Sequence, residues 1–314
     1  MFAWLIIPAL AVITVVVMGW QFLKLFIQIN VHKQVARYVP AYPDHPRKWG
    51  MTYCNVRFET EDGIGLCGWV IAPKRDQEAR GVVLLLHGLG GPHDTGGKSR
   101  QLPWANVFAD QGYLVLMFDF RNHGDSDSGF ITFGRDELLD VRAARNFIAK
   151  SWMLSDLPVV LAGVSYGAAT AIRFAATHPY SFQGVIAISG YADFSLILHE
   201  RVKDQTIWGK IPGISRLVED ALCAELSISD LRQLSPCEVA VHVSPMPLLI
   251  LHGTRDDIIG EHHAHLLYSA AHDPKSLVVV KDGSHGFLLD PIGSHKAACE
   301  AREAVIRFTE SVSR

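Results

Sequence analysis

The chain lacks any charged side chain from Met1 to Leu23, and Lys24 is the only charge before His32. It also lacks a basic excess. Its 29 Lys+Arg face 32 Asp+Glu for a formal net charge of -3, which is no electrostatic footprint for nucleic acid. Paired cysteine spacing is missing as well. The five cysteines (Cys54, Cys67, Cys223, Cys237, Cys299) are odd in number, scattered and without a CxxC, so they read as reduced thiols. No internal repeat or low-complexity tract is visible, and 49% apolar residues with 19% charged exclude a disordered chain.

The uncharged N-terminal block explains the positive mean hydropathy of +0.16. At about 1.5 Å per residue, 23 helical residues reach roughly 35 Å, more than a hydrocarbon core of about 30 Å. Trp4 and Trp20 stand near its two ends, where amphipathic rings favour an interface. A cleaved signal peptide would need a cationic start and a small-residue cleavage site, and this block has neither. Residues 1–28 are therefore expected to form a single-pass transmembrane anchor, a partner surface for a membrane. Lys24, Lys33, Arg37, Arg47 and Lys48 flank it on the C-terminal side, which predicts a cytoplasmic location for the rest of the chain. Residues 29–50, with Pro40, Pro43 and Pro46, read as a linker.

From residue 51 to 314 short β-branched runs alternate with stretches of helical period. Strands are predicted at 53–60, 66–72, 81–87, 114–120, 158–164, 184–189, 247–252 and 277–281. Helices are predicted near 98–111, 135–151, 167–177, 261–271 and 295–312. The central runs VVLLLH, YLVLMFDF, VVLAGV, VIAIS and LLILH are unbroken, as strands of a parallel sheet covered on both faces should be. The pattern predicts a doubly wound α/β domain. The first two strands, around Glu61-Asp62-Gly63, read as an antiparallel hairpin. Between about 191 and 245 helical patterns with Trp208, Leu217, Leu222 and Leu226 replace strands, and this insertion is expected to be a small helical cap.

The chemistry-bearing pattern is Gly163-Val164-Ser165-Tyr166-Gly167, between a buried strand and a helix. A serine there is forced into a tight bend with its hydroxyl exposed at the sheet edge. It needs a base, and the base needs an orienting carboxylate. His285, in Gly283-Ser284-His285-Gly286-Phe287 past the last strand, is positioned as the base. Asp256 and Asp257 follow the strand PLLIL as acid candidates, with Asp193 as an outlying choice. Glu261-His262-His263-Ala264-His265 lacks metal-protease spacing and a clear third ligand, and reads as a surface helix start. No metal or organic cofactor is called for.

Five segments occur in one order: Leu86-His87-Gly88-Leu89-Gly90-Gly91, Asp119-Phe120-Arg121-Asn122-His123-Gly124-Asp125-Ser126, the serine pentapeptide, His252-Gly253-Thr254-Arg255-Asp256, and Ser284-His285-Gly286-Phe287. In these the chain resembles the α/β-hydrolases, in particular membrane-anchored bacterial proteins of esterase, lysophospholipase or serine aminopeptidase type. The resemblance implies an α/β-hydrolase fold with an eight-stranded, mostly parallel sheet and helices on both faces. It implies Asp256 as the acid, and the backbone N–H groups of Leu89 and Tyr166 as an oxyanion hole. The expected activity is hydrolysis of carboxylic esters, of small-molecule or lipid-like substrates, through an acyl-enzyme on Ser165. A serine aminopeptidase, using Glu219, Asp220 or Glu225 to hold a substrate amine, is the alternative. An acyltransferase on the same triad and a non-catalytic membrane scaffold are the remaining readings, and oligomeric state is not legible.

Overall fold

The computed structural model describes residues 3–74, 78–90, 95–151, 154–205, 210–287 and 295–313, with side chains described throughout except at 3–16 and 205. Trp208, Gly91 and the Trp4 side chain lie outside the described residues. The chain divides into two compact units, residues 1–36 with 195–233 and residues 37–194 with 234–314.

The larger unit is built on one eight-stranded sheet of order β1-β2-β4-β3-β5-β6-β7-β8. Its strands are β1 (Tyr53–Glu59), β2 (Gly65–Ile71), β3 (Val82–Leu86), β4 (Leu114–Phe118), β5 (Val159–Val164), β6 (Gly184–Ile188), β7 (Leu248–Gly253) and β8 (Lys275–Val280). The first pair forms an antiparallel hairpin, and β2 also runs antiparallel to β4. From β4 through β3 to β8 every pairing is parallel. Successive strand side chains point to opposite faces, and both faces are covered, which is why the central strands are apolar without alternation. Leu84, Leu86, Leu161 and Ile250 fill one face against α3 (Glu137–Lys150), α4 (Tyr166–Thr177) and α7 (His262–Ala270). Val83, Leu85, Val160, Ala162 and Leu251 fill the other, against α2 (Leu102–Asp110) and α8 (His295–Val312). In this topology the loops leaving β3, β5, β6, β7 and β8 all open at the C-terminal edge, where open α/β sheets bind ligands.

One buried ion pair fastens two of the loops at this edge. Asp119 Oδ1 accepts from the Lys98 backbone N–H at 2.7 Å, and Oδ2 from Lys98 Nζ at 2.5 Å. The two side chains are 1% and 3% exposed, and Lys98 Nζ also lies 4.5 Å from the centre of the Trp69 ring.

The smaller unit contains α1 (Ala3–Val35), most of α5 (Phe194–Gln205) and α6 (Ile214–Glu225), with α1 packed on α6. The stretch 191–245 holds these last two helices and three 3-10 turns, with no strand among its described residues. Here the expectation of a membrane-spanning anchor is overturned: among the described residues no helix is long and apolar enough to cross a membrane. Gln21, Lys24, Gln28 and Asn30 make the C-terminal part of α1 polar, and the helix packs on α6. Ile27, Val31 and Val35 are buried within the protein, and His32 Nδ1 lies 2.7 Å from Glu225 Oε1. The single-pass location and the cytoplasmic orientation drawn from flanking charge fall with the anchor. The helix also continues past residue 28, and the segment after it is no bare tether. Val39 and Ala41 form bridges with His123 and Gly96, and Pro46–Trp49 is a 3-10 turn.

Removing Asp119 leaves the buried Lys98 only the exposed Asp125, 2.7 Å from Nζ, so the loss lies toward the lower end of the about 3–5 kcal/mol that breaking a buried pair costs. Asp119→Asn is expected to lose that much unfolding free energy in denaturant titration. A loss below about 1 kcal/mol, the range of an exposed pair, would contradict the role given to Lys98 and Asp119.

Candidate active site at the C-terminal sheet edge

Ser165 lies between β5 and α4 with φ 57° and ψ −119°, a conformation disfavoured for an L residue. Two glycines make the bend possible. A Cβ on Gly167 would sit 2.6 Å from the carbonyl oxygens of Leu86 and His87, and one on Gly163 would collide with the Gly167 carbonyl. The Ser165 N–H donates to Ile188 O at 2.8 Å, continuing the β5–β6 ladder by one residue. Among its buried neighbours Ser165 alone is partly exposed.

A hydrogen-bonded histidine–carboxylate pair comes from the loops after β7 and β8. His285 Nδ1 lies 2.8 Å and 2.9 Å from the two oxygens of Asp256. A carboxylate only accepts, so Nδ1 carries a proton, and in a neutral ring Nε2 is the acceptor. Asp256 Oδ1 accepts further from the N–H groups of Ile258 at 3.0 Å and Ile259 at 2.8 Å. Its side chain is fully buried, and His252 Nε2 stands 3.3 Å from Oδ2. Burial opposes ionisation, but the hydrogen bonds from His252, His285 and the Ile259 N–H outweigh it and hold Asp256 below the usual carboxylate range. Of the acid candidates, Asp256 meets His285, whereas Asp257 is exposed and Asp193 lies near Cys237. Among the described residues no hydrogen bond joins Ser165 Oγ to the His285 ring.

The loop after β3 approaches the serine from the other side. A Cβ on Gly88 would stand 3.4 Å from Ser165 Cβ and 3.9 Å from its Oγ. His87 Nε2 accepts from the Phe120 N–H at 2.9 Å, so its Nδ1 is the donor, facing Gly88 O at 2.6 Å. That carbonyl belongs to the Gly88–Leu89 peptide. In a trans peptide the N–H points opposite to the C=O, so the Leu89 N–H is turned away from His87. His123 Nε2 lies 3.1 Å from Leu89 O, on the following peptide. As first residue of α4, Tyr166 has an N–H with no intrahelical acceptor. Burial, with neighbouring His123, pushes His87 well below its ordinary value, so the ring is neutral.

The structure brings His285 against Asp256 and, beside them, a residue left without a role in the sequence reading: His252, whose Nε2 donates to Ile259 O at 2.8 Å and stands 3.3 Å from Asp256. His252 is visible there only as the head of its motif; its contact depends on the turn that returns Asp256 beneath β7. The stretch Glu261–His265 also differs from a plain surface start. His263 is buried, and its Nδ1 accepts from the Ala192 N–H at 3.1 Å.

Comparison with known proteins agrees with this architecture. A family model described as serine aminopeptidase, S33, matches residues 77–208. An esterase of Pyrococcus furiosus, Pf2001, superposes with a TM-score of 0.68 over 89% of this chain and 100% of that one, at 21% identity. The chain has the α/β-hydrolase fold. The esterase domain of a Rhodothermus marinus protein superposes with a TM-score of 0.58 over 84% of this chain and 100% of that chain, at 22% identity. In sequence the chain is similar to protein YfhR of Escherichia coli K12, 28% identical over 250 residues and 78% of each chain. It is also similar to a lysophosphatidylserine lipase, ABHD12, of Danio rerio, 26% identical over 264 residues, or 76% of this chain and 65% of the relative.

The neutral His87 gives the protein a pH signature. The unfolded imidazole takes a proton near 6.5, whereas the folded one resists it to much lower pH. Stability tied to His87 is complete above that value and is lost as pH falls below it, by at most about 1.4 kcal/mol per pH unit. His87→Asn retains a donor near Nδ1 and cannot titrate. Denaturant titrations at pH 7.5 and 5.5 should show wild type losing more stability than this variant, and equal losses would contradict the buried neutral ring.

Proposed function

We propose that the protein is a serine hydrolase that cleaves carboxylic esters through an acyl-enzyme on Ser165. The observation that carries this reading is the buried Asp256 carboxylate gripping His285 Nδ1 with both oxygens, at the sheet edge where Ser165 occupies its bend. In the proposed reaction, His285 Nε2 takes the Ser165 hydroxyl proton as Oγ attacks the ester carbonyl. The Leu89 and Tyr166 N–H groups receive the developing oxyanion, each donor of this kind being worth about 2.7–4 kcal/mol. His285 then returns the proton to the departing alcohol, and a water molecule releases the acid by the same steps in reverse. Asp256 holds the tautomer and offsets the imidazolium charge.

Small acyl esters and single-chain lipid esters are the proposed substrates, in keeping with the esterase and lysophosphatidylserine lipase among the similar proteins. The peptidase reading, which the matched family description raises, needs an acid left over for a substrate amine. The three acids assigned that task are engaged inside their own helical unit. Glu219 lies 3.0 Å from His199 and 3.4 Å from Arg216, Asp220 lies 3.2 Å from Arg216, and Glu225 pairs with His32.

A panel of p-nitrophenyl esters, from acetyl to dodecanoyl, and of monoacylglycerols, run against aminoacyl p-nitroanilides, separates these readings. Ester turnover should exceed amide turnover, vanish in Ser165→Ala and fall about 10⁴-fold in kcat in Asp256→Asn. Faster cleavage of the amides, or undiminished ester turnover in folded Ser165→Ala, would refute the proposal.

A further inference from the structure

We propose that Ser189 is a positioning residue that sets the His285 loop in register with the nucleophile. This inference rests on the reading of Ser165, Asp256 and His285 as the triad. Ser189 follows β6, is fully buried, and has φ 50°, the left-handed region that a serine occupies at a cost. Its backbone N–H donates to Leu251 O at 2.8 Å, in the strand that leads to Asp256. The carbonyl just before it, Ile188 O, accepts the Ser165 N–H at 2.8 Å. Its own Oγ accepts the Gly286 N–H at 3.0 Å, on the peptide that follows His285. The dipeptide Ile188–Ser189 thus touches all three triad-bearing segments, and only the contact with the base runs through a side chain.

The opposite side of that residue is held as well, because Trp104 Nε1 donates to Gly286 O at 3.0 Å. The carbonyl and N–H of residue 286 are therefore both fixed from distant parts of the fold. This matters because Ser165 and His285 share no hydrogen bond of their own here, so the distance between them is set by their backbones. Glycine would suit the backbone at 189 better than serine does. Serine in its place supplies the acceptor that glycine lacks.

Ser189→Gly separates the two roles, since it relieves the left-handed backbone and deletes the hydroxyl. The measurements are the second-order rate of labelling by a fluorophosphonate, kcat and KM on p-nitrophenyl butyrate, and the thermal midpoint. We expect labelling and kcat to fall about 10²-fold, the order reached when a reacting group is displaced by about 1 Å, with KM within about twofold. The thermal midpoint should stay within about 4 °C of wild type. Ser189→Ala, which retains Cβ, is read in the same way and decides the matter if the glycine variant does not fold. Labelling at the wild-type rate by a folded variant overturns the role of Ser189 and leaves the triad reading intact. A parallel collapse of KM and thermal midpoint assigns Ser189 to the framework and also overturns it. Failure of folded wild type to label overturns the triad reading and this inference with it.

Discussion

The functional edge depends on backbone approaching backbone. Helix α4 leaves β5 so close to the end of β3 that Gly167 has the Leu86 and His87 carbonyls where a side chain would be. That approach bends the chain at Ser165 into a left-handed conformation and sets the loop from His87 to Gly90 beside it. Dense packing on both sheet faces makes the strained bend tolerable, because β5 and the first ten residues of α4 are buried and cannot relax without opening the core. The proposed nucleophile is therefore a product of sheet geometry before it is a matter of side-chain chemistry.

Charge is managed in opposite ways on the two sides of Ser165. At Asp256 a buried carboxylate stays ionised because His285 and two backbone N–H groups donate to it, with His252 Nε2 3.3 Å away. At His87 a buried imidazole stays neutral, one nitrogen accepting and the other donating, so it orients a peptide without adding a positive charge beside the serine. The first arrangement is suited to stabilising a transient imidazolium, and the second to aiming a backbone dipole. The more distant Lys98–Asp119 and Arg121–Asp140 pairs hold the loops after β3 and β4 in place, each with its charges closely bonded.

Much of this is legible in order along the chain, because each strand of the central sheet is an unbroken apolar run and each chemistry-bearing residue lies just past one. Strand–helix alternation and the hairpin at Asp62-Gly63 follow from local pattern plus that placement, whereas pattern leaves Asp256, Asp257 and Asp193 open and only the resemblance singles out Asp256. What escapes depends on contacts between segments far apart in sequence. Ser189 reads as the end of a strand, and its bond to Gly286, 97 positions away, has no local mark. His252 reads as part of a motif, although its ring turns toward Asp256. The N-terminal helix misleads for a different reason. Polar residues gather toward its C-terminal end, at Gln21, Lys24, Gln28 and Asn30, and the burial of Ile27, Val31 and Val35 within the protein has no counterpart in a count of charges.

The central claim is that this sheet edge makes Ser165 a covalent nucleophile, and locating the adduct tests it most directly. After reaction of the full chain with a fluorophosphonate, tryptic mapping should find one phosphonyl group on the peptide from residue 151 to 173, with fragment ions placing it on Ser165. Its formation should require His285. An adduct on another residue, or none on folded protein, would contradict the account.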